Sequence, residues 1–442
     1  MLPSDLALRI EGTDPRLLLP QGTSTPDRLS LVDALELPSS GPRLLIALLI
    51  DAEGIWHALP LIDDSVGLRR ARAGDGLALA TADWLDGHRG ETPSSGFGAR
   101  DGGSALQEVL TGAVSESTAQ FDDLSELVVV GQRTRVRINL QPPETDSPYV
   151  DVISHLRSVG STPLAPSVGD VVWREPGHWI GPIFGVAQTI HGKHLDEAFG
   201  IAASRHLRGG DDAEPTLVLT RGLAQVLASL HISLATPSAL IPQPVTSLTE
   251  HEASLLARDA RDAVAEAVVL TDEDTQAHVR SRTASMRDAF AQLVDAAGTP
   301  CLPPAPLVSL QQLSHVEKSD RFLLDPLLLV QATKARPAAA DVASLLRGLN
   351  HIAHGALRRL VGGGESVPVE RVATWTVAVR ELFLEEYRGA LAASDQSQLF
   401  DERLLLGLEI QAECRALTFA ARHLSTWSKV PDAGLVELLP AR

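Results

Sequence analysis

The chain has 442 residues, 44% of them hydrophobic and 21% charged, with a net charge of −18. That length implies two or three domains rather than one small core, and the charge argues against nucleic acid or an anionic membrane as partner. Cys301 and Cys414 are the only cysteines, too few for a disulfide scaffold or a thiolate zinc site, so a reducing, cytoplasmic setting is expected. The opening residues MLPSDLALRIEG lack the basic start and apolar core of a signal peptide. The longest apolar run, 44–50, is far shorter than the roughly 20 residues of a membrane span.

In chain order, residues 1–108 read as strands and turns. Runs at 44–51 and 55–62 flank Ala52-Glu53-Gly54 as in a hairpin, and a polar loop, GHRGETPSSGFGARDGGS, closes the region. From 109 to 213 strands are expected at 127–130, 136–140 and around 171–173, with a helix at 149–159. The HGKHL segment at 191–195 reads as a polar turn and 208–215 as a connector. From 214 onward the period is helical. Leu223, Val226, Leu227, Leu230 and Leu234 form one stripe, with His231 beside it as a packed histidine. Further helices are expected at 253–268, 277–296, 341–361, 369–391 and 403–423, with Gly362-Gly363-Gly364 as a stop. His351 and His354 share a helix face and read as packed or solvated side chains rather than metal ligands.

The stretch 304–330, PAPLVSLQQLSHVEKSDRFLLDPLLLV, precedes the blocks ARPAAADVASLLRGLNHIAH, TWTVAVRELFLEEYRGAL and LEIQAECRALTFAARHLSTWSKVPDAGLVELL. These blocks resemble the actinobacterial maltokinases and, more closely toward the C-terminus, the glucosamine kinases. The resemblance implies an α+β, bilobal, eukaryotic-like kinase fold of the aminoglycoside phosphotransferase type. It divides the chain into an N-terminal β-rich cap subdomain (1–108), a kinase-like N-lobe (109–213) and a mostly helical C-lobe (214–442). It also implies Mg2+ and ATP as cofactors. Laid on the family's His-Gly-Asp-x-His-x-x-Gln loop, the catalytic aspartate falls on Pro306 and the loop glutamine on Gln311; the metal-loop aspartate falls on Asp325. The phosphate-binding lysine falls on Asn139 and its helix carboxylate on Asp151, while Gln411, Glu413 and Trp427 are the implied sugar-pocket residues.

A neutral Asn139 supplies no cation to nucleotide phosphates, and Pro306 offers no acid to orient an acceptor hydroxyl. Two proline substitutions also remove amide donors from these loops. Nucleotide and Mg2+ binding are therefore weakly supported by the residue types, with Gln311 and Asp325 left as metal-ligand candidates. Three readings follow. The first is a catalytically impaired pseudokinase that binds a sugar or a partner enzyme. The second is an active ATP-dependent kinase of glucosamine, maltose or glucose that recruits Glu317, Asp320 or Asp325 as its acid. The third is a structural partner with no ligand.

Overall fold

The computed structural model describes residues 4–19, 29–64, 67–88, 96–101, 115–121, 125–131, 134–142, 144–145, 152–160, 163–175, 178–210, 213–304, 307–328 and 334–439. The chain forms two compact units: residues 1–150 with 165–190, and residues 151–164 with 191–442. Unit 1 opens with helices α1 (Ser4–Glu11) and α2 (Pro15–Leu18), then strands β1 (Leu29–Leu37), β2 (Arg43–Asp51), β3 (Trp56–Asp64) and β4 (Gly67–Arg70). These strands make an antiparallel sheet in sequence order. Helix α3 (Leu77–Gly87) follows, and then β5 (Gly96–Asp101), β6 (Glu116–Phe121), β7 (Ser125–Val130), β8 (Thr134–Asn139) and β9 (Glu144–Thr145). The long strands β10 (Ser167–Glu175) and β11 (His178–Gln188) complete a second sheet of order β5-β10-β11-β8-β7-β6, with β9 on β11.

The unbroken apolar run of β2 has a simple cause. Leu44, Ile46 and Leu48 pack toward α3 and the second sheet, while Leu45, Ala47 and Leu49 pack toward α1 and α2. A strand buried on both faces loses its alternation. The helices α1 and α3 stand where only strands and turns are expected from the sequence. The Ala-rich LALATADWLDG buries seven of its eleven residues, so it carries no polar face to mark it as a helix.

Unit 2 contains α4 (Val152–Val159), β12 (Lys193–His194), α5 (Leu195–Leu207), α6 (Glu214–Ala235), β13 (Thr246–Ser247), α7 (Glu250–Leu270), α8 (Glu273–Ser281) and α9 (Thr283–Val294). It continues through β14 (Pro300–Leu302), β15 (Leu313–Val316), β16 (Arg321–Leu324), β17 (Arg336–Pro337), α10 (Ala339–Gly362), α11 (Glu370–Ala393), α12 (Leu405–His423) and α13 (Lys429–Leu438). Two small antiparallel sheets, β12-β15-β16 and β13-β14-β17, lie among the helices. The fold is α+β, β-rich toward the N-terminus and mostly helical beyond. Helix α5, N-terminal to the expected 213/214 boundary, buries Leu195, Phe199, Ala203 and Leu207 in the core it shares with α6 and α10 of unit 2. The polar turn expected at 191–195 is in fact the strand β12, paired with β15, and the start of α5.

Capping chemistry fixes several helix ends. Thr249 Oγ1 accepts from Glu252 N and the Glu252 carboxylate accepts from Thr249 N, a reciprocal box that starts α7. The single helix expected at 277–296 is two, broken at Arg282, whose buried guanidinium donates to the carbonyls of Leu439 and His278. Among the described residues one helix, α6, is long and apolar enough to cross a membrane, and 67% of that window is buried within the unit against neighbours such as α11. Both thiols are buried, which pushes Cys301 up to about 11 and Cys414 up to about 12.

Close packing also explains Gly222 on α6. A methyl group there would overlap the ring of Phe322, which stacks on His315 at 4.5 Å. Gly222→Ala is therefore expected to destabilise. The helix-propensity gain of about 0.5–1 kcal/mol is outweighed by overpacking of about 1–3 kcal/mol. An unchanged denaturation midpoint would contradict this.

Candidate active site

Within unit 2 a pocket of about 720 Å³ opens among α5, α7, α10, α12 and the 3₁₀ turn Leu310–Gln312. Its carboxylates are Asp196, in the first turn of α5, and Asp259 on α7. Its cations are Arg336, Arg347, Arg359 and Arg415, and Gln311, His351, Gln411 and Trp427 supply neutral polar and aromatic surface. A concave site with convergent polar groups on an apolar lining is the usual form of a small-molecule site.

Two of the three expected sugar-pocket residues are wall residues. Gln411 lines the pocket at 6% exposure and Trp427 lines it half-buried. Glu413 is a correction: it is fully buried and lies behind the wall. Its Oε1 is 2.8 Å from His351 Nε2, and its Oε2 is 4.0 Å from Arg347 Nη1. The backbone of Gly434 fits against it, since a Cβ there would collide with the Glu413 carboxylate and the Asn350 amide. On the other side of Arg347, Glu409 accepts from Arg347 Nε at 3.1 Å and from both terminal nitrogens of Arg380 at 2.6 and 2.8 Å.

Of the phosphate-end candidates, Asn139 belongs to unit 1 and Gln311 and Asp325 to unit 2. Pro306 and Asp151 lie outside the described residues. Asn139, at the end of β8, donates from Nδ2 to the Pro182 carbonyl at 2.7 Å and accepts from Arg137 Nε at 3.1 Å. Gln311 is exposed on the pocket, and it is Gln312 that adjoins Asp325, its carbonyl accepting from Asp325 N at 2.8 Å. Asp325 is buried, and its Oδ1 accepts from Leu327 N at 3.0 Å to open the 3₁₀ turn Pro326–Leu328. Among the described residues no group of three or more His, Cys, Asp or Glu is arranged for a metal. Gln311 and Asp325 are both oxygen donors of the kind a hard cation takes, but Gln311 lies on the pocket and Asp325 in the core. The alternative acids do not line the pocket: Glu317 pairs with Lys193 at 2.7 Å and Asp320 with His315 at 2.9 Å.

One buried carboxylate ties the pocket to the loop after β14. Asp341 Oδ1 accepts from Val308 N at 2.8 Å and from Arg336 at 3.0 Å, and Oδ2 lies 3.2 Å from His231 Nε2. His231 in turn meets Tyr387 Oη at 2.6 Å. Burial pushes Asp341 up, but Arg336, His231 and the Val308 amide outweigh it and hold the acid below its ordinary range. On the far side of α10, burial of Glu437 is likewise outweighed by His354, Thr376 and Asn350, which bring it down to about 2. His351 and His354 are thus packed against different carboxylates, as a pair of structural histidines.

No protein-family model matches the chain. It is 28% identical to a glucosamine kinase of Streptacidiphilus jiangxiensis, with 98% of each chain covered. It is 27% identical to a glucosamine kinase of Mycolicibacterium smegmatis, covering 92% of this chain and 98% of that one. A solved glucosamine kinase in complex with glucosamine, ADP and inorganic phosphate superposes with a TM-score of 0.75 at 25% identity, over the whole of both chains. The chain is a homologue of the glucosamine kinases. A second crystal form of glucosamine kinase gives a TM-score of 0.77 over 98% of this chain, so the glucosamine kinase likeness takes in residues of both units. Sequence reasoning alone missed Asp196, Asp259, Arg347 and His351 as pocket residues of this glucosamine kinase homologue. The available signal for Asp196 was the acidic pair Asp196-Glu197 opening a helix.

Proposed function

We propose that this chain transfers the γ-phosphoryl group of ATP to a hydroxyl of an amino sugar, with glucosamine as the first acceptor to try. The observation that carries this reading is the pocket itself. The expected residues Gln411 and Trp427 meet there with Gln311 and the carboxylates Asp196 and Asp259, in a chain that matches glucosamine kinases end to end. An indole packs on the apolar face of a pyranose, amides and carboxylates accept its hydroxyls, and a carboxylate also suits an ammonium.

Phosphoryl transfer asks of the protein alignment and charge neutralisation. Mg2+, when bound, would supply charge neutralisation at the phosphates, and Gln311 is the oxygen donor that would meet it on the pocket. The acceptor-side acid falls to Asp196, since the loop position of the family's aspartate holds Pro306. A second reading, a sugar-binding protein without turnover, is favoured by Asn139, a neutral residue whose amide is already engaged by Pro182.

The test is incubation with MgATP and glucosamine, with the sugar analysed by mass spectrometry. Phosphorylated glucosamine supports transfer; a melting point raised by glucosamine with no product supports binding alone. Gln411→Ala is expected to raise the acceptor KM up to about tenfold, the cost of one hydrogen bond, and to leave the KM for ATP as it was.

A further inference from the structure

From the buried groups behind the pocket wall we infer that Glu413 is a positioning residue, acting through His351 to hold the Trp427 platform. This rests on the sugar-pocket reading above and assigns Glu413 a role other than sugar contact.

A ladder of alternating basic and acidic side chains crosses the helices. It runs from Arg380 on α11 to Glu409 on α12, Arg347 on α10, Glu413 on α12 and His351 on α10. It ends where the His351 ring meets the Trp427 indole edge to face, centroids 5.2 Å apart at 84°. Of these groups Arg347, His351 and Trp427 face the pocket, and Glu409 and Glu413 are wholly buried. Trp427 sits in a single 3₁₀ turn, Ser425–Trp427, pinned by one backbone bond to Leu424, so its ring depends on what it leans against. A buried carboxylate that fixes a histidine ring also fixes which nitrogen carries the proton, here Nε2. Glu413 packs closely against the backbone of Gly434, where a Cβ would collide with its carboxylate. Three polar atoms at this junction, Arg347 Nη1, Glu413 Oε2 and Asn350 Oδ1, have no hydrogen-bond partner. Their cost is accepted in the core at the point where the pocket wall is set.

The experiment uses the full chain and near-isosteric variants. Trp427 is one of six tryptophans, so each variant is paired with its Trp427→Phe counterpart, and the difference in acrylamide quenching reports on the Trp427 indole. Glu413→Gln keeps an acceptor for His351 Nε2–H and is expected to leave Trp427 shielded. Glu413→Ala and His351→Gln are expected to expose it and to raise the glucosamine KM by about tenfold, more than they lower kcat. The Glu413→Ala/His351→Gln double variant should be no worse than His351→Gln alone. Multiplying effects in the double variant would mean that Glu413 acts on the pocket by a route other than His351 and would overturn the proposal, and unchanged quenching in both single variants would remove the positioning role. Should Glu413→Ala not fold, by helix ellipticity, the contrast between Glu413→Gln and His351→Gln decides. If the wild type phosphorylates no sugar, the activity reading fails while the quenching comparison still decides this one.

Discussion

Replacing Asp341 by alanine is expected to cost the helical unit about 3–5 kcal/mol, the loss typical of leaving a buried charge uncompensated. Arg336 and His231 would keep their positions while Val308 N and the arginine lost their shared acceptor. Asp341→Asn keeps an oxygen for Val308 and should cost less, about 1–3 kcal/mol. The pH dependence has a definite sign. A folded-state acid held below its ordinary 3.8 contributes stability that is present above that value and is lost as the pH falls through the lowered folded value. The gap between wild type and Asp341→Asn should therefore be widest near neutrality and close in acid. Denaturant titrations across that range, followed by helix ellipticity, check it. A gap that widens toward acid would refute the assignment.

The second large effect is on turnover. Asp196→Asn is expected to lower kcat for glucosamine phosphorylation by roughly 10²- to 10⁴-fold, the range of a lost general base, with the KM for ATP little changed. Asp196 is preferred to Asp259 for three reasons. It occupies the positive end of α5, where an anion is stabilised, and its Oδ1 is set by the Glu197 amide at 2.8 Å. Its helix also packs against the turn that bears Gln311. Asp259 is exposed at the middle of α7, and Asp259→Asn should act on the acceptor KM instead. Wild-type turnover in Asp196→Asn, with loss in Asp259→Asn, would exchange the two roles.

What the sequence made legible follows from which physics is local. The helices α10, α11 and α12 came within about two residues of their expected ends, because a 3.6-residue stripe against a solvated face survives in one sequence. The apolar stripe beside His231 marks it as a packed histidine, and it packs against Tyr387 and Asp341. Glu413 shows the opposite case: residues 411 and 413 lie two apart on one helix and face different ways, and only the neighbouring helices decide that Gln411 looks into the pocket and Glu413 into the core. Asp196 was hidden in a segment whose strand partner, β15, lies over a hundred residues away. The reading of Pro306 as a lost aspartate made an impaired enzyme the first expectation. The end-to-end likeness to glucosamine kinases and the pocket's own carboxylates favour the active alternative.

The burial of both sulfurs has a practical corollary. A thiolate is the reacting species in maleimide coupling, and neither Cys301 nor Cys414 offers one to solvent at neutral pH. A cysteine introduced on the surface of each unit should therefore take up dye alone, with no need to delete the native pair. Energy transfer between two such dyes would then track, in real time, any approach of the units as nucleotide and sugar are added.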